Sequence, residues 1–199
     1  MRSSSAEPPI VIAVAGPNGA GKSTAAPMLL RGALDVTTFL NADVIAQGLA
    51  AYDPDSAAIA AGRALLARMR ELCARRANFA FETTLAGRSY EPWLRRLLHE
   101  GYQFQLHYLW LPSADAAVQR VRERVATGGH NVPIEVIRRR YAAGIRNFHG
   151  LYRPLATLWR MYDNGGGGPP RLVARGAGTE ISIVDHLIWE SSLLAAGAG

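Results

Sequence analysis

Two rhythms of apolar positions alternate along the chain. Ile10-Val11-Ile12-Ala13-Val14-Ala15 is an unbroken apolar run, the pattern of a strand buried on both faces of a parallel sheet. Val36 to Leu40, Phe79-Ala80-Phe81, Phe104 to Leu111, apolar almost throughout, and Leu172-Val173-Ala174 predict four more strands. Between them the spacing changes to three and four. Ile59, Leu65, Leu66, Met69 and Leu72 lay an apolar stripe along a long helix over 55–77, which Asp55 or Ser56 can cap. Helices are also predicted over 23–30, with Pro27 early enough to be tolerated, and over 89–100, stopped by Gly101. Ser113 caps another, with Val118, Val121 and Val125 inward, and more follow at 134–147, 154–160 and 183–194. Gly165–Gly168 with Pro169-Pro170 reads as a low-complexity loop, and residues 1–9, Ser-rich and then Pro8-Pro9, as a disordered tail. This alternation predicts one α/β domain over 10–199, a parallel sheet with helices on both faces.

Composition narrows the classes. The 199 residues, 49% of them hydrophobic, suffice for one domain with a substantial core. No apolar run approaches the roughly 18–20 residues that span a bilayer, and residues 1–9 lack the apolar segment of a secretory signal. Cys73 is the only cysteine, which excludes an intramolecular disulfide and fits a reducing compartment, so a cytoplasmic protein is expected. The formal charge of +6 comes from arginine, Lys22 being the one lysine. The arginines are scattered over helices and interleave with no aromatic run, so anionic small ligands account for the charge better than nucleic acid.

That single lysine lies in Gly16-Pro17-Asn18-Gly19-Ala20-Gly21-Lys22-Ser23, followed by Thr24. Strand, G-x-x-x-x-G-K-S, then helix is the Walker A arrangement. Its glycines let backbone amides turn inward around phosphate oxygens, and the helix N-terminus adds free donors. Lys22 would bridge the β and γ phosphates of ATP, and the Ser23 hydroxyl would ligate Mg²⁺.

Asp43 and Glu82 end the second and third strands, and ligands of α/β sheets bind outside the carboxyl ends of strands. Asp43 can act as general base on an attacking hydroxyl, order Mg²⁺, or simply cap a helix over 44–49. Glu82, with Thr83 and Thr84 beside it, can hold a metal-bound water or a substrate hydroxyl, or pair with an arginine. Arg120, Arg122 and Arg124 precede the Gly128-Gly129-His130 turn, and Arg138, Arg139 and Arg140 follow it. A helical hairpin over about 113–147 could bring one or two of each set to a γ-phosphate, with Arg124, Arg139 and Arg140 the best placed. His130 reads as a hydrogen-bonding turn residue. The remaining histidines lack metal-ligand spacing.

Residues 16–24, Asn41-Ala42-Asp43, Phe81-Glu82-Thr83-Thr84 and the arginine hairpin together resemble the zeta-toxin family, most closely its short bacterial branch labelled "predicted ABC-type ATPase". The resemblance spans roughly 10–163. It implies a three-layer P-loop kinase fold with a five-stranded parallel sheet of order 2-3-1-4-5, and phosphoryl transfer from ATP to a small hydroxyl-bearing acceptor. In zeta toxins that acceptor is UDP-N-acetylglucosamine. Carried over by motif, Lys22 grips phosphate, Asp43 is the base, Glu82 and Thr84 flank the acceptor, and the hairpin arginines clamp the γ-phosphate. An antitoxin protein is a possible partner. The chain has no LSGGQ-like segment, which argues against a transporter engine. A nucleotide-dependent switch acting on a protein or nucleic acid is the alternative.

Overall fold

The computed structural model describes residues 7–30, 36–53, 56–129, 131–177 and 180–197. Most of the 1–9 tail, the Asp55 cap and His130 lie outside the described residues. Strand β1 (Ile10–Ala15) runs through the centre, with Val11 to Ala15 wholly buried. It pairs in parallel with β3 (Phe79–Thr83) on one side and β4 (Gln103–Trp110) on the other. Beyond β3 lies the short β2 (Phe39–Leu40), and beyond β4 lies β5 (Leu158–Asp163), both parallel. The five strands stand in the order β2-β3-β1-β4-β5, the kinase-like order expected. Two antiparallel strands, β6 (Arg171–Ala177) and β7 (Glu180–Ile183), extend the sheet to seven among the described residues.

The structure departs from several expectations; the second strand is only Phe39–Leu40 rather than 36–40. The fifth parallel strand is not 172–174, which belongs to antiparallel β6. Residues 154–160 are not a helix: a 3₁₀ turn at Arg153–Leu155 leads directly into β5. The apolar spacing Leu151, Leu155, Trp159 mimics a helix, but pairing with β4 decides the conformation. The Thr157 amide donates to the Phe104 carbonyl at 2.8 Å, and the Thr157 hydroxyl accepts from the Phe104 amide at 3.1 Å. From there burial alternates strictly, with Trp159, Met161 and Asp163 inward. The last helix starts at His186, not 183, because 180–183 pairs as β7.

The helices are α1 (Lys22–Leu29), α2 (Ala42–Leu49), α3 (Ala58–Ala74), α4 (Tyr90–His99), α5 (Ala114–Ala126), α6 (Ile134–Asn147) and α7 (His186–Ala195), with α6 continuing through a π turn at Phe148–Tyr152. Of the stripe expected on α3, Leu65, Met69 and Leu72 are buried, together with Ala61, whereas Ile59 and Leu66 are exposed; the N-cap is Ala57, with no side-chain cap from Ser56. Helix α6 anchors the loop that follows β3. A Cβ on Gly144 would strike the Thr84 carbonyl, and the Asn147 amide donates to Leu85 O at 2.8 Å and Ala86 O at 3.2 Å. Among the described residues no helix is long and apolar enough to cross a membrane.

Candidate active site

The loop between β1 and α1 closes on itself because three of its residues lack a Cβ. Gly16, at φ +142°, lies so near Leu109 that a Cβ would overlap its carbonyl oxygen, and Gly21, at φ +73°, is the left-handed N-cap of α1. Gly19 packs on α5, where a Cβ would come within 2.9 Å of Ala117 O and 3.0 Å of Arg120 Cβ. Lys22 is buried beneath the loop. Its Nζ donates to Pro17 O at 2.9 Å and lies 3.6 Å from Glu82 Oε1. Burial pushes the Lys22 pKa below the usual lysine range; Glu82 and Asp43 pull it back up, and Arg124 pushes it down again. An ammonium so enclosed favours an anionic ligand that restores its charged form.

Glu82 enters from the end of β3. Its Oε2 accepts from the Ser23 hydroxyl at 2.6 Å and from Asn41 Nδ2 at 2.8 Å. Asn41 was not singled out as a site residue by sequence reasoning. Its Nδ2 also reaches Ser23 Oγ at 3.2 Å, while its Oδ1 accepts from the Asp43 and Val44 amides at 2.8 and 3.3 Å. Asn41 is therefore the N-cap of α2. Asp43 is not the cap; it sits exposed in the first turn of that helix. Its carboxylate is thus left free of the capping role.

Asp43, Glu82, Ser23 and Asn41 line one cleft of about 490 Å³, closed on the far side by Arg124 and the Gly128-Gly129 turn. The structure thus gathers Lys22, Ser23, Asp43, Glu82 and Arg124. Thr24 is exposed on α1. The Thr83 and Thr84 hydroxyls accept from the Leu85 and Ala86 amides at 3.0 and 3.4 Å, shaping the turn in which Leu85 takes φ +55°. Arg139 is exposed and Arg140 half-buried on α6, and neither lines the cleft. Arg138 pairs with Asp115, and Arg120 donates to Gly166 O at 3.0 Å.

Asn164, just after β5, is a second residue that sequence reasoning missed: its Nδ2 donates to Ala20 O at 2.7 Å and so braces the phosphate loop. The signal, an Asp-Asn pair at a strand's carboxyl end, was hidden by reading the preceding segment as helix.

The donors present fit a triphosphate with Mg²⁺. Among the described residues no three His, Cys, Asp or Glu side chains gather as a metal cage. The Ser23 hydroxyl and Glu82 carboxylate are hard oxygen donors, and Mg²⁺ suits a site with one or two protein oxygens, waters and phosphates. The Asn18 amide, buried in the loop with Oδ1 unbonded, offers one more polar contact.

A glycine loop folded over a buried lysine, at the carboxyl edge of a 2-3-1-4-5 sheet, defines a P-loop nucleotide-binding domain. The AAA domain family matches residues 11–151, and the chain belongs to that family. An uncharacterized protein of Haemophilus influenzae is 27% identical over 126 residues, 63% of this chain and 88% of that protein. Among solved structures, a chain of the AvrRxo1-ORF1:-ORF2 complex with ATP superposes with a TM-score of 0.67 at 18% identity, covering 94% of this chain. This chain spans only 63% of that one. The PezAT chromosomal toxin–antitoxin system of Streptococcus pneumoniae gives a TM-score of 0.63 at 14% identity, covering 98% of this chain and 88% of that one. A gluconokinase from Sinorhizobium meliloti gives 0.51 at 16%, covering 96% and 92%. At such identities the likeness is one of fold, and it bears out the P-loop kinase-like fold that the zeta-toxin resemblance implies.

Proposed function

We propose that the chain is an ATP-dependent phosphotransferase that passes the γ-phosphate to a hydroxyl of a small-molecule acceptor. The observation that carries this reading is the meeting of Ser23, Asp43 and Glu82 in one cleft, with the buried Lys22 ammonium 3.6 Å from Glu82 beside it. The glycine loop and Lys22 hold the phosphates. Ser23 and Glu82 would hold Mg²⁺, which would neutralise charge on the phosphate oxygens. Asp43 accepts the acceptor's hydroxyl proton as that oxygen bonds to the γ-phosphorus; the bond to the β,γ-bridging oxygen breaks and ADP leaves. Arg124 meets charge growing on the γ-phosphate, and Arg139 and Arg140 join it only if α5 and α6 close about the Gly128-Gly129 turn. Thr83 and Thr84 position the acceptor by holding the loop behind Glu82. UDP-N-acetylglucosamine is the acceptor that the zeta-toxin likeness brings forward, and an antitoxin-like protein is the corresponding partner. Action in the cytoplasm belongs to the same proposal.

The test is a metabolite extract incubated with γ-labelled ATP. Label should enter a small molecule, Lys22→Ala should abolish transfer, and Asp43→Asn should slow it about 10²–10⁴-fold, the usual cost of a lost general base. Full transfer by Asp43→Asn would remove the base assignment. The second reading, a nucleotide-dependent switch, is motivated by exposed Arg122 and Arg139 on the hairpin. Salt-sensitive, nucleotide-dependent binding of a macromolecule without consumption of any small acceptor would favour it.

A further inference from the structure

A second cavity, about 550 Å³, lies between α3 and α4. Both helices run antiparallel to β3, away from the cleft: Ala58, at the start of α3, lines the cleft, while Tyr90 packs on Phe81 and Trp93 reaches down to Phe79. The cavity's upper border is Ala42 and Ser89. Ala42 lies between Asn41 and Asp43, both of which line the cleft. The two spaces therefore flank the first turn of α2.

One wall of the cavity is a fixed aromatic surface. Trp93 is held against Phe81 at 6.0 Å, Phe79 at 6.4 Å and Tyr90 at 6.2 Å between ring centroids. Leu66 and Met69 of α3 form the opposite apolar wall. At the lower end stand two guanidinium groups, Arg70 and Arg96. Arg96 has a weak partner in Glu100 at 3.6 Å, and Arg70 has no ion-pair partner among the described residues. Gly62 borders the space from the interior of α3, and a Cβ there would meet nothing within 4 Å. Glycine inside a helix costs about 1 kcal/mol relative to alanine, and here it leaves the cavity open.

We infer that this cavity holds the body of the phosphate acceptor: a flat or apolar section against Trp93 and an anionic group between Arg70 and Arg96, with the reacting hydroxyl projecting past Ala42 to Asp43. The inference rests on the kinase reading for the hydroxyl, but the binding chemistry stands by itself. At 1.5 Å per helical residue, Gly62 to Arg70 spans about 12 Å, so the acceptor is an elongated amphiphilic anion rather than a compact sugar or polyol. Flat rings gain from an aromatic wall, and a guanidinium pair recognises phosphate or carboxylate.

The test uses 1-naphthyl phosphate, 1-naphthoate and 1-naphthol as probes, titrated calorimetrically into the full chain saturated with a non-hydrolysable ATP analogue. The phosphate and carboxylate arms tell which anion is preferred. At least one anion should bind at millimolar affinity or better, with 1-naphthol at least about tenfold weaker, and Arg70→Ala should weaken the anion about tenfold. Gly62→Phe should abolish probe binding while leaving the affinity for the ATP analogue within twofold. Absence of binding, competition with the ATP analogue, or insensitivity to both substitutions overturns the inference. Failure of phosphate transfer in extracts alongside normal probe behaviour would instead count against the kinase reading alone.

Discussion

At the scale of single residues, the site turns on one amide. Asn41 spends its oxygen on the first turn of α2 and its nitrogen on Ser23 and Glu82, so one side chain ties the helix that carries Asp43, the proposed base, to the proposed metal-holding pair Ser23 and Glu82. Serine caps a helix about as well as asparagine but is too short to span to Glu82. Asn41→Ser should therefore keep α2 and metal-free nucleotide binding, while the Mg²⁺ needed for half-maximal ATP turnover rises about 10–100-fold, as for other lost outer partners of a metal site. An unchanged Mg²⁺ titration, measured beside circular dichroism, would reduce Asn41 to a cap. Lys22, Ser23 and Glu82 were legible in sequence because motif and strand ends fix them locally. Asn41's double role was not, because it depends on a neighbour 41 positions along the chain.

Elements show the same division between local and distant causes. Strand β1, its glycine loop, α5 and α6 follow from periodicity, the Ser113 cap and glycines, and they appear where the sequence places them; α3 appears too, but shorter at both ends and without the expected side-chain cap. Strand β5 does not, because its conformation is settled by Thr157 and Phe104 pairing across 53 positions. The hairpin of β6 and β7 needs Gly176, where any Cβ would run into Glu180 O and the Trp159 ring, a demand no short window of sequence reveals. The elements around β5 also bury two histidines. His149, bonded to the Ser192 hydroxyl at 3.0 Å, has its pKa lowered to about 3 by burial and then by Arg153. His107, stacked on Tyr162, is lowered to about 4 by burial and then by Arg160. Below the ordinary histidine pKa of 6.5 the unfolded chain takes up protons that the folded chain refuses, so stability falls as pH falls towards those values. Each group contributes a slope of at most about 1.4 kcal/mol per pH unit. Urea midpoints between pH 7 and 4.5 should drop less steeply for His149→Gln than for the parent chain; equal slopes would mean the folded protein accepts that proton.

The whole molecule places its chemistry on one edge of the sheet and leaves the rest to packing. Strands β1, β2 and β3 deliver the glycine loop, Asn41 and Glu82 to that edge, α5 brings Arg124 over it, and the segment after β5 returns Asn164 to the loop from the other flank. A ligand seated there joins parts from residue 16 to residue 164, so its binding must be felt by global unfolding. For a ligand that binds only the folded chain, stabilisation is RT ln(1 + [L]/Kd), or about 2.7 kcal/mol at a hundredfold excess over Kd. In a chain of this size each kcal/mol raises the midpoint by about 2–4 °C, giving about 5–10 °C in all. Mg²⁺-ATP at that excess should produce this shift in a thermal melt, and the shift, measured from each protein's own nucleotide-free midpoint, should vanish in Lys22→Ala. Equal shifts in the two proteins would show that nucleotide engages the chain somewhere other than the glycine loop, and the site built around Lys22 would fall with that result.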